Sequence, residues 1–386
     1  MNENNSSVFS TVERYYQDYG VRAQELKDQG KKVIAYLCSL VPVEIITAAG
    51  LVPLRIRGDV HEPITKGDTQ LETIACPFVR SCFDVAFKGK YDFCDGLIIP
   101  HACDSIARTY SVWRYSLGLP YSHFINVPHT LSESSMEFFE AELNTFRKSL
   151  GRFARKEISD SELTKTIDSY NKNRDKAKAL YELRKSDPPL ISGTEIIKIL
   201  TVGMSLPVEE SNELFDAALE KFGQRKESPL QKAPRVMLVG ATVDNMDFIK
   251  LVEDSGANVV VDSLCIGTRD YWPHTDVGGD PMRALAHRYL DKINCPRTYR
   301  EKVGEKYEED LEARFGDIGS LSKEFKVDGV ILYIYKYCDP FGFEVSARKA
   351  YLDSIKIPVL YLEDEYSIGT IGSLRTRIQA FLEMIG

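Results

Sequence analysis

Four of the eight cysteines in this sequence come directly after short apolar segments that are typical of buried strands. They are Cys38 after VIAYL, Cys103 after GLIIPHA, Cys265 after NVVVDSL and Cys338 after GVILYIYKY. In an open parallel α/β sheet, ligands bind beyond the carboxyl ends of the strands, because the loops diverge there and helix N-termini point inward. Thiols at that edge predict a metal or redox site.

The spacing of the cysteines matches no compact metal motif. The chain has neither the CxxC pairs of a zinc ribbon nor the close-set cysteines of a bacterial ferredoxin. A site built from Cys76 or Cys103 together with the distant Cys338 must therefore be assembled by the fold. Sulfur ligands favour iron–sulfur or zinc over magnesium or calcium. The alternative for each cysteine is a buried thiol with a purely structural role.

Composition narrows the class of protein. The 386 residues carry a formal charge of −8, and no basic cluster stands out, which disfavours nucleic acid as a partner. No apolar run reaches the length of a membrane span, and the first residues lack the basic and apolar regions of a secretion signal. We therefore expect a cytoplasmic protein with no membrane partner, in which the cysteines are thiols rather than disulfides.

The order of apolar and amphipathic segments predicts an α/β fold. Strand and helix patterns alternate over 31–135 and again over 231–386, which indicates two flavodoxin-like or Rossmann-like parallel sheets. Residues 1–30 predict an N-terminal helix, from about Val8 to Gln29. Residues 136–230 predict a helical connector or cap, rich in charged residues at i,i+4 spacing.

Several segments resemble the large subunits of the 2-hydroxyacyl-CoA dehydratase and benzoyl-CoA reductase family, to which double-cubane cluster proteins are also related. They are YLCSLVPVEIITAAGLVPLRI, CPFVRS, DGLIIPHACDSI, DPMRALAHRYL, the tripeptide CDP at Cys338 and LRTRIQAFLEMI. They occur in the family's order, from about residue 30 to the C-terminus.

The resemblance implies a [4Fe–4S] cluster bound by Cys76, Cys103 and Cys338, with one iron corner left open. It implies an enzyme subunit of anaerobic, ATP-dependent radical chemistry that reduces an acyl-CoA thioester by one electron at low potential, as in benzoyl-CoA reductase. The alternative within the family is dehydration of a 2-hydroxyacyl-CoA through a ketyl radical. The implied partners are an acyl-CoA, a homologous second large subunit (or a second copy of this chain) and a separate ATP-hydrolysing iron–sulfur activator.

Other residues near these motifs have two interpretations each. His101 is a candidate proton donor or a hydrogen-bonding residue of its loop. Cys38 and Ser39 lie near the expected thioester position or cap the helix that follows. Cys265 and Cys295 lie in segments where double-cubane relatives carry extra thiols, although the chain lacks further cysteines of those relatives, which disfavours a double cubane. Two other cysteines, Cys82 and Cys94, are expected to be buried packing residues rather than ligands.

Two further functions belong to other classes. The first is a non-catalytic iron–sulfur electron carrier, and the second is a protein whose thiols bind structural zinc. The sequence has no Walker A motif and no G-x-G-x-x-G after the first strand, so ATP hydrolysis is assigned to a partner. The acyl group, the choice between reduction and dehydration, and the residues that bind CoA are not given by the sequence.

Overall fold

The computed structural model describes residues 4–300 and 304–386, and it contains two four-stranded parallel sheets. The strand order is β2-β1-β3-β4 in the first sheet and β6-β5-β7-β8 in the second. The strands are β1 (Val33–Tyr36), β2 (Val52–Arg55), β3 (Gly96–Pro100), β4 (Tyr121–Ile125), β5 (Arg235–Gly240), β6 (Asn258–Ser263), β7 (Gly329–Tyr335) and β8 (Val359–Asp364). The predicted α/β class with two parallel sheets is confirmed. The domain boundaries at 31–135, 136–230 and 231–386 stay a prediction.

Helices separate the strands and cover the sheets. Every residue of β1, β3, β5, β6 and β7 is buried, as expected for parallel strands that are packed on both faces. The α-helices in the described ranges are α1 (Asn4–Gln17), α2 (Val21–Asp28), α3 (Val43–Ala48), α4 (Pro77–Phe87), α5 (Asp104–Leu117), α6 (Glu133–Ala154), α7 (Asp160–Glu182), α8 (Gly193–Gly203), α9 (Val208–Gly223), α10 (Met246–Asp254), α11 (Thr268–Tyr271), α12 (Pro281–Ala286), α13 (Tyr307–Glu324), α14 (Asp339–Gly342), α15 (Val345–Ser354) and α16 (Ile371–Ile385). None of the helices in these ranges has the length and apolar character needed to cross a membrane.

The N-terminal helix differs from the sequence-based prediction. Instead of one helix from Val8 to Gln29, the chain forms α1 and α2, which are separated at Gly20. Gly20 has φ of 93°, a left-handed conformation that glycine adopts without a steric penalty. The predicted helical block does form, as α6 to α9. Its last helix, α9, begins after Pro207, which the sequence pattern indicates only as the end of α8.

The carboxyl edges of the two sheets face each other. In each sheet the strand order reverses at one point, between β1 and β3 and between β5 and β7, and such points are where open α/β sheets bind ligands. Two buried arginines bridge the halves at these edges. Arg55 donates from Nη1 to the carbonyl of Cys265 at 2.8 Å, and Arg297 donates from Nε to the carbonyl of Ala102 at 3.1 Å.

Candidate metal centre

Each of the three predicted cluster ligands lies immediately before a helix. Cys76, Cys103 and Cys338 are the N-cap residues of α4, α5 and α14. Cys103 follows β3 and Cys338 follows β7, so both stand at the points where the strand order of their sheets reverses. The fold therefore brings thiols from both halves of the chain to the shared edge.

The three thiols interact with one another. A hydrogen bond from the Cys338 thiol to the Cys76 sulfur lowers the pKa of Cys76, and the same bond raises the pKa of Cys338. Burial raises the pKa of Cys103 to about 12, and its charge also interacts with that of Cys76. The residues that the resemblance predicted as ligands are thus neighbours in the structure. We refer to them as the first triad.

The helix N-termini place positive potential at the first triad. The backbone N–H groups of Phe78 and Val79 lower the pKa of Cys76, and those of Ile106 and Phe341 do the same for Cys103 and Cys338. Unpaired N–H groups at the start of a helix favour negative charge, and they activate thiols for metal binding. The arrangement suits thiolate ligands.

Thiolate sulfur is a donor that suits an iron–sulfur cluster or zinc rather than magnesium or calcium. Within 4–300 and 304–386, no three His, Cys, Asp or Glu side chains converge closely enough to hold one metal ion. Zinc requires every sulfur to lie about 2.3 Å from the same ion. A cubane is wider, because each cysteine binds a different iron atom. Neighbouring thiols that do not converge on one point are compatible with a cluster.

A second group of thiols lies beside the first. Burial raises the pKa of Cys38, and the charges of Cys265 and Cys295 raise it further. Burial and the charge of Cys265 likewise raise the pKa of Cys295. Cys295 in turn interacts with Cys103 of the first triad. We call Cys38, Cys265 and Cys295 the second triad.

Two buried arginines interact with this second triad, and sequence reasoning missed both. Arg269 donates from Nη1 to the Cys265 sulfur at 3.2 Å. Arg297 donates from Nη2 to the Val127 carbonyl at 2.9 Å, and its charge interacts with those of Cys295, Cys38 and Cys103. The available signal was short spacing: Arg269 is four residues after Cys265, and Arg297 is two after Cys295.

Comparison with known proteins places the chain in a family. The family model described as 2-hydroxyglutaryl-CoA dehydratase, D-component, matches residues 38–385. The chain belongs to the 2-hydroxyglutaryl-CoA dehydratase D-component family. It is 27% identical to a benzoyl-CoA reductase subunit of Thauera aromatica, with 98% of each chain covered. It is 25% identical to the putative dehydratase subunit YjiM of Escherichia coli (strain K12), again over 98% of each, and 24% identical to the (R)-phenyllactyl-CoA dehydratase beta subunit of Clostridium sporogenes, over 94% of each.

In this dehydratase-family chain, Cys38 and Ser39 do not cap the next helix. Helix α3 begins at Val43 with Pro42 as its N-cap, so the expected capping role is wrong. The Ser39 hydroxyl instead donates to the carbonyl of Cys265 at 2.8 Å. Cys38 has φ of 79°, a conformation that costs a non-glycine residue energy and that clusters at functional sites. The strained residue therefore lies within the second triad.

The remaining sequence candidates lie around the first triad or outside it. His101 Nε2 is 3.5 Å from His129 Nε2. Burial, followed by the charge of Arg297, lowers the pKa of both rings. The proposed proton-donor role of His101 stays a prediction. Cys82 and Cys94 are buried at 0% and 5% exposure and belong to neither triad.

Proposed function

We propose that this chain is the iron–sulfur subunit of an ATP-dependent acyl-CoA reductase similar to benzoyl-CoA reductase. The observation that carries the proposal is the meeting of Cys76, Cys103 and Cys338 at the facing edges of the two sheets. These residues would hold a [4Fe–4S] cluster, which supplies one-electron transfer at low potential when it is bound. Membership of an acyl-CoA enzyme family supports the proposal.

A groove beside the first triad has the form needed for a long substrate. Cavities of about 980 and 1110 Å³, each including its open mouth, share the residues Val60, His61 and Tyr366 in their walls. The larger cavity reaches Pro77 and Tyr337, the chain neighbours of Cys76 and Cys338. The other cavity is lined by the basic residues Arg57, Lys90, Lys198 and Lys250 and by the acidic residues Asp59, Asp244 and Asp247. We propose that an acyl-CoA lies along both cavities, with its thioester towards the thiols and its phosphates towards the basic side chains.

The partners follow from the chemistry of the proposal. We infer a homologous second large subunit, or a second copy of this chain, because relatives are named as subunits of larger enzymes. We assign ATP hydrolysis to a separate iron–sulfur activator, since the sequence carries no Walker A motif. A cytoplasmic location belongs to the same proposal.

The ratio of ATP hydrolysed to product formed distinguishes reduction from dehydration. The chain would be purified without oxygen, combined with an activator and offered benzoyl-CoA or a 2-hydroxyacyl-CoA. A reductase consumes electrons in every turnover, so ATP hydrolysed should rise in proportion to product. A dehydratase regains its electron after losing hydroxide, so product should far exceed ATP. Product in large excess over ATP would replace reduction by dehydration.

The second triad favours one further candidate function. Six neighbouring thiols provide ligands for more iron than a single [4Fe–4S] cluster contains. The proximity of these thiols supports the double-cubane alternative. The absence of further cysteines that double-cubane relatives carry disfavours it. We therefore propose a double-cubane-type reductase or electron carrier as the second candidate.

Iron content separates the two candidates. Replacing any residue of the second triad, as in Cys38→Ser, Cys265→Ser or Cys295→Ser, should remove about half of the iron if both triads bind clusters. Under the first candidate the same variants should keep all of the iron. In each case, the three variants must first be shown by circular dichroism to fold.

A further inference from the structure

A separate cavity has Cys295 in its wall and is lined by several arginines. It has a volume of about 360 Å³, including its open mouth. Its charged lining residues are Arg269, Arg300, Arg314, Arg348, Asp317 and Glu344. None of the first-triad cysteines lines it, so it is distinct from the groove proposed for an acyl-CoA.

Positive charge exceeds negative charge in this cavity. Glu344 is shared, because it pairs with Arg314 and also accepts a hydrogen bond from Arg348 Nη2 at 2.6 Å. Burial raises the pKa of Asp317, whose carboxylate accepts a hydrogen bond from the Asn294 amide at 3.0 Å. Arg269 forms no close ion pair among the described residues, although its charge interacts with that of Asp317, and it donates to backbone carbonyls and to the Cys265 sulfur. The cations are therefore only partly neutralised by the protein.

Arg348 is the side chain that most needs an additional partner. It is 4% exposed, and its Nε and Nη1 atoms are buried with no hydrogen-bond acceptor in the described part of the chain. The rings of Phe341 and Phe315 lie 4.7 and 5.3 Å from its guanidinium carbon and hold the group in place. Burial lowers the pKa of Arg348 to about 10, so the group is still protonated at neutral pH.

We propose that this cavity binds a small oxoanion, held by Arg348 together with Arg314 and Arg269. Buried donors without acceptors are costly, and a buried charge is normally paired. Guanidinium groups are planar, weakly hydrated donors whose geometry matches phosphate, sulfate and carboxylate. A bound oxoanion satisfies the free donors of Arg348 and neutralises the arginines that face Cys265 and Cys295. The site does not depend on the acyl-CoA reaction.

Equilibrium dialysis with radiolabelled inorganic phosphate tests this site. The full chain would be purified without oxygen and dialysed free of phosphate and sulfate. We expect one phosphate per chain, displaced by sulfate but not by chloride at the same ionic strength. Displacement by acetate at lower concentration than by sulfate would identify a carboxylate as the preferred form of the oxoanion.

Variants decide whether the bound phosphate is in this cavity. Arg348→Gln should weaken phosphate binding at least about tenfold, the effect of losing a hydrogen bond to a charged group. Arg375→Gln, at an exposed position on α16, is the matched control and should bind as the unaltered chain does. If Arg348→Gln does not fold, Arg314→Gln takes its place, because the Arg314 side chain is more exposed. Equal phosphate affinity in the folded variant and the unaltered chain, or no phosphate binding at all, would overturn the proposal.

Discussion

The thiols of the first triad owe their properties to the backbone around them as much as to one another. Each precedes a helix, so backbone N–H groups favour its thiolate form, whereas burial opposes ionisation. In the absence of metal, burial prevails at Cys103 and its pKa is raised to about 12. Metal binding reverses that balance, because a coordinating thiol gives up its proton.

Serine substitutions test the ligand assignment one residue at a time. Cys76→Ser, Cys103→Ser and Cys338→Ser should each lose most of the bound iron, because a serine hydroxyl does not ionise near neutral pH and binds iron poorly. Iron would be measured per chain in anaerobically purified protein. Cys82→Ser and Cys94→Ser are the matched controls and should keep the normal amount. Full iron in all three first-triad variants would contradict the assignment.

A half-buried histidine makes stability depend on pH. His123 on β4 packs against Phe146 at 5.0 Å between ring centroids, and burial lowers its pKa to about 4. In the unfolded chain its pKa is about 6.5. Between these values the unfolded state binds more protons, so the free energy of unfolding falls as the pH is lowered from 7 towards 4.

Urea unfolding of the iron-free chain at pH 7 and pH 5 measures this effect. His123→Gln should reduce the loss of stability between the two pH values by roughly 1–2 kcal/mol. Ser122→Ala, on the same strand, removes no titratable group, serves as control and should leave the pH dependence unchanged. The same pH dependence in His123→Gln as in the unaltered chain would show that His123 is not buried as described.

At the scale of elements, close contact between strands fixes the edge that carries the thiols. Gly240 ends β5 and pairs with Tyr333 of β7. A Cβ atom at position 240 would lie only 2.3 Å from the Tyr333 carbonyl oxygen. Any larger residue must therefore push β5 and β7 apart at the end that leads to Cys338.

Gly240→Ala should consequently lower the free energy of unfolding by roughly 1–3 kcal/mol, the usual cost of overpacking. Gly372→Ala on α16 is the matched control, because a Cβ atom there has no neighbour within 4 Å. It should be neutral or stabilise the chain by up to about 1 kcal/mol. Denaturant unfolding measures both. Equal stability of the two variants would mean that β5 and β7 are not in such close contact.

The elements differed in how well the sequence predicted them. The buried strands were predictable, because runs such as GVILYIY are apolar throughout and are bounded by turn residues. The N-terminal helices were harder to predict as two elements, since the break at Gly20 leaves the helical spacing of apolar residues intact on either side. Helix α9 begins after Pro207 with Glu209 and Glu210 in its first turn, a start signal that sequence reasoning did not use.

At the scale of the whole molecule, the candidate site depends on two sheets with the same strand order that face each other. The first triad was found through a resemblance of motifs, since its spacing in the sequence carried little information. Whether Cys38, Cys265 or Cys295 bind additional iron was left open by the sequence, and their proximity could not be predicted because they come from three distant loops. Pairing between loops, such as the bridge between Thr130 and Tyr299, cannot be derived from local periodicity.

Chemical analysis of anaerobically purified protein tests the central claim most directly. If Cys76, Cys103 and Cys338 hold a [4Fe–4S] cluster, the brown protein should contain iron and acid-labile sulfide in equal amounts, at least four of each per chain, with little zinc. Colourless protein that contains zinc, or that contains neither metal after reconstitution with iron and sulfide, would contradict the account.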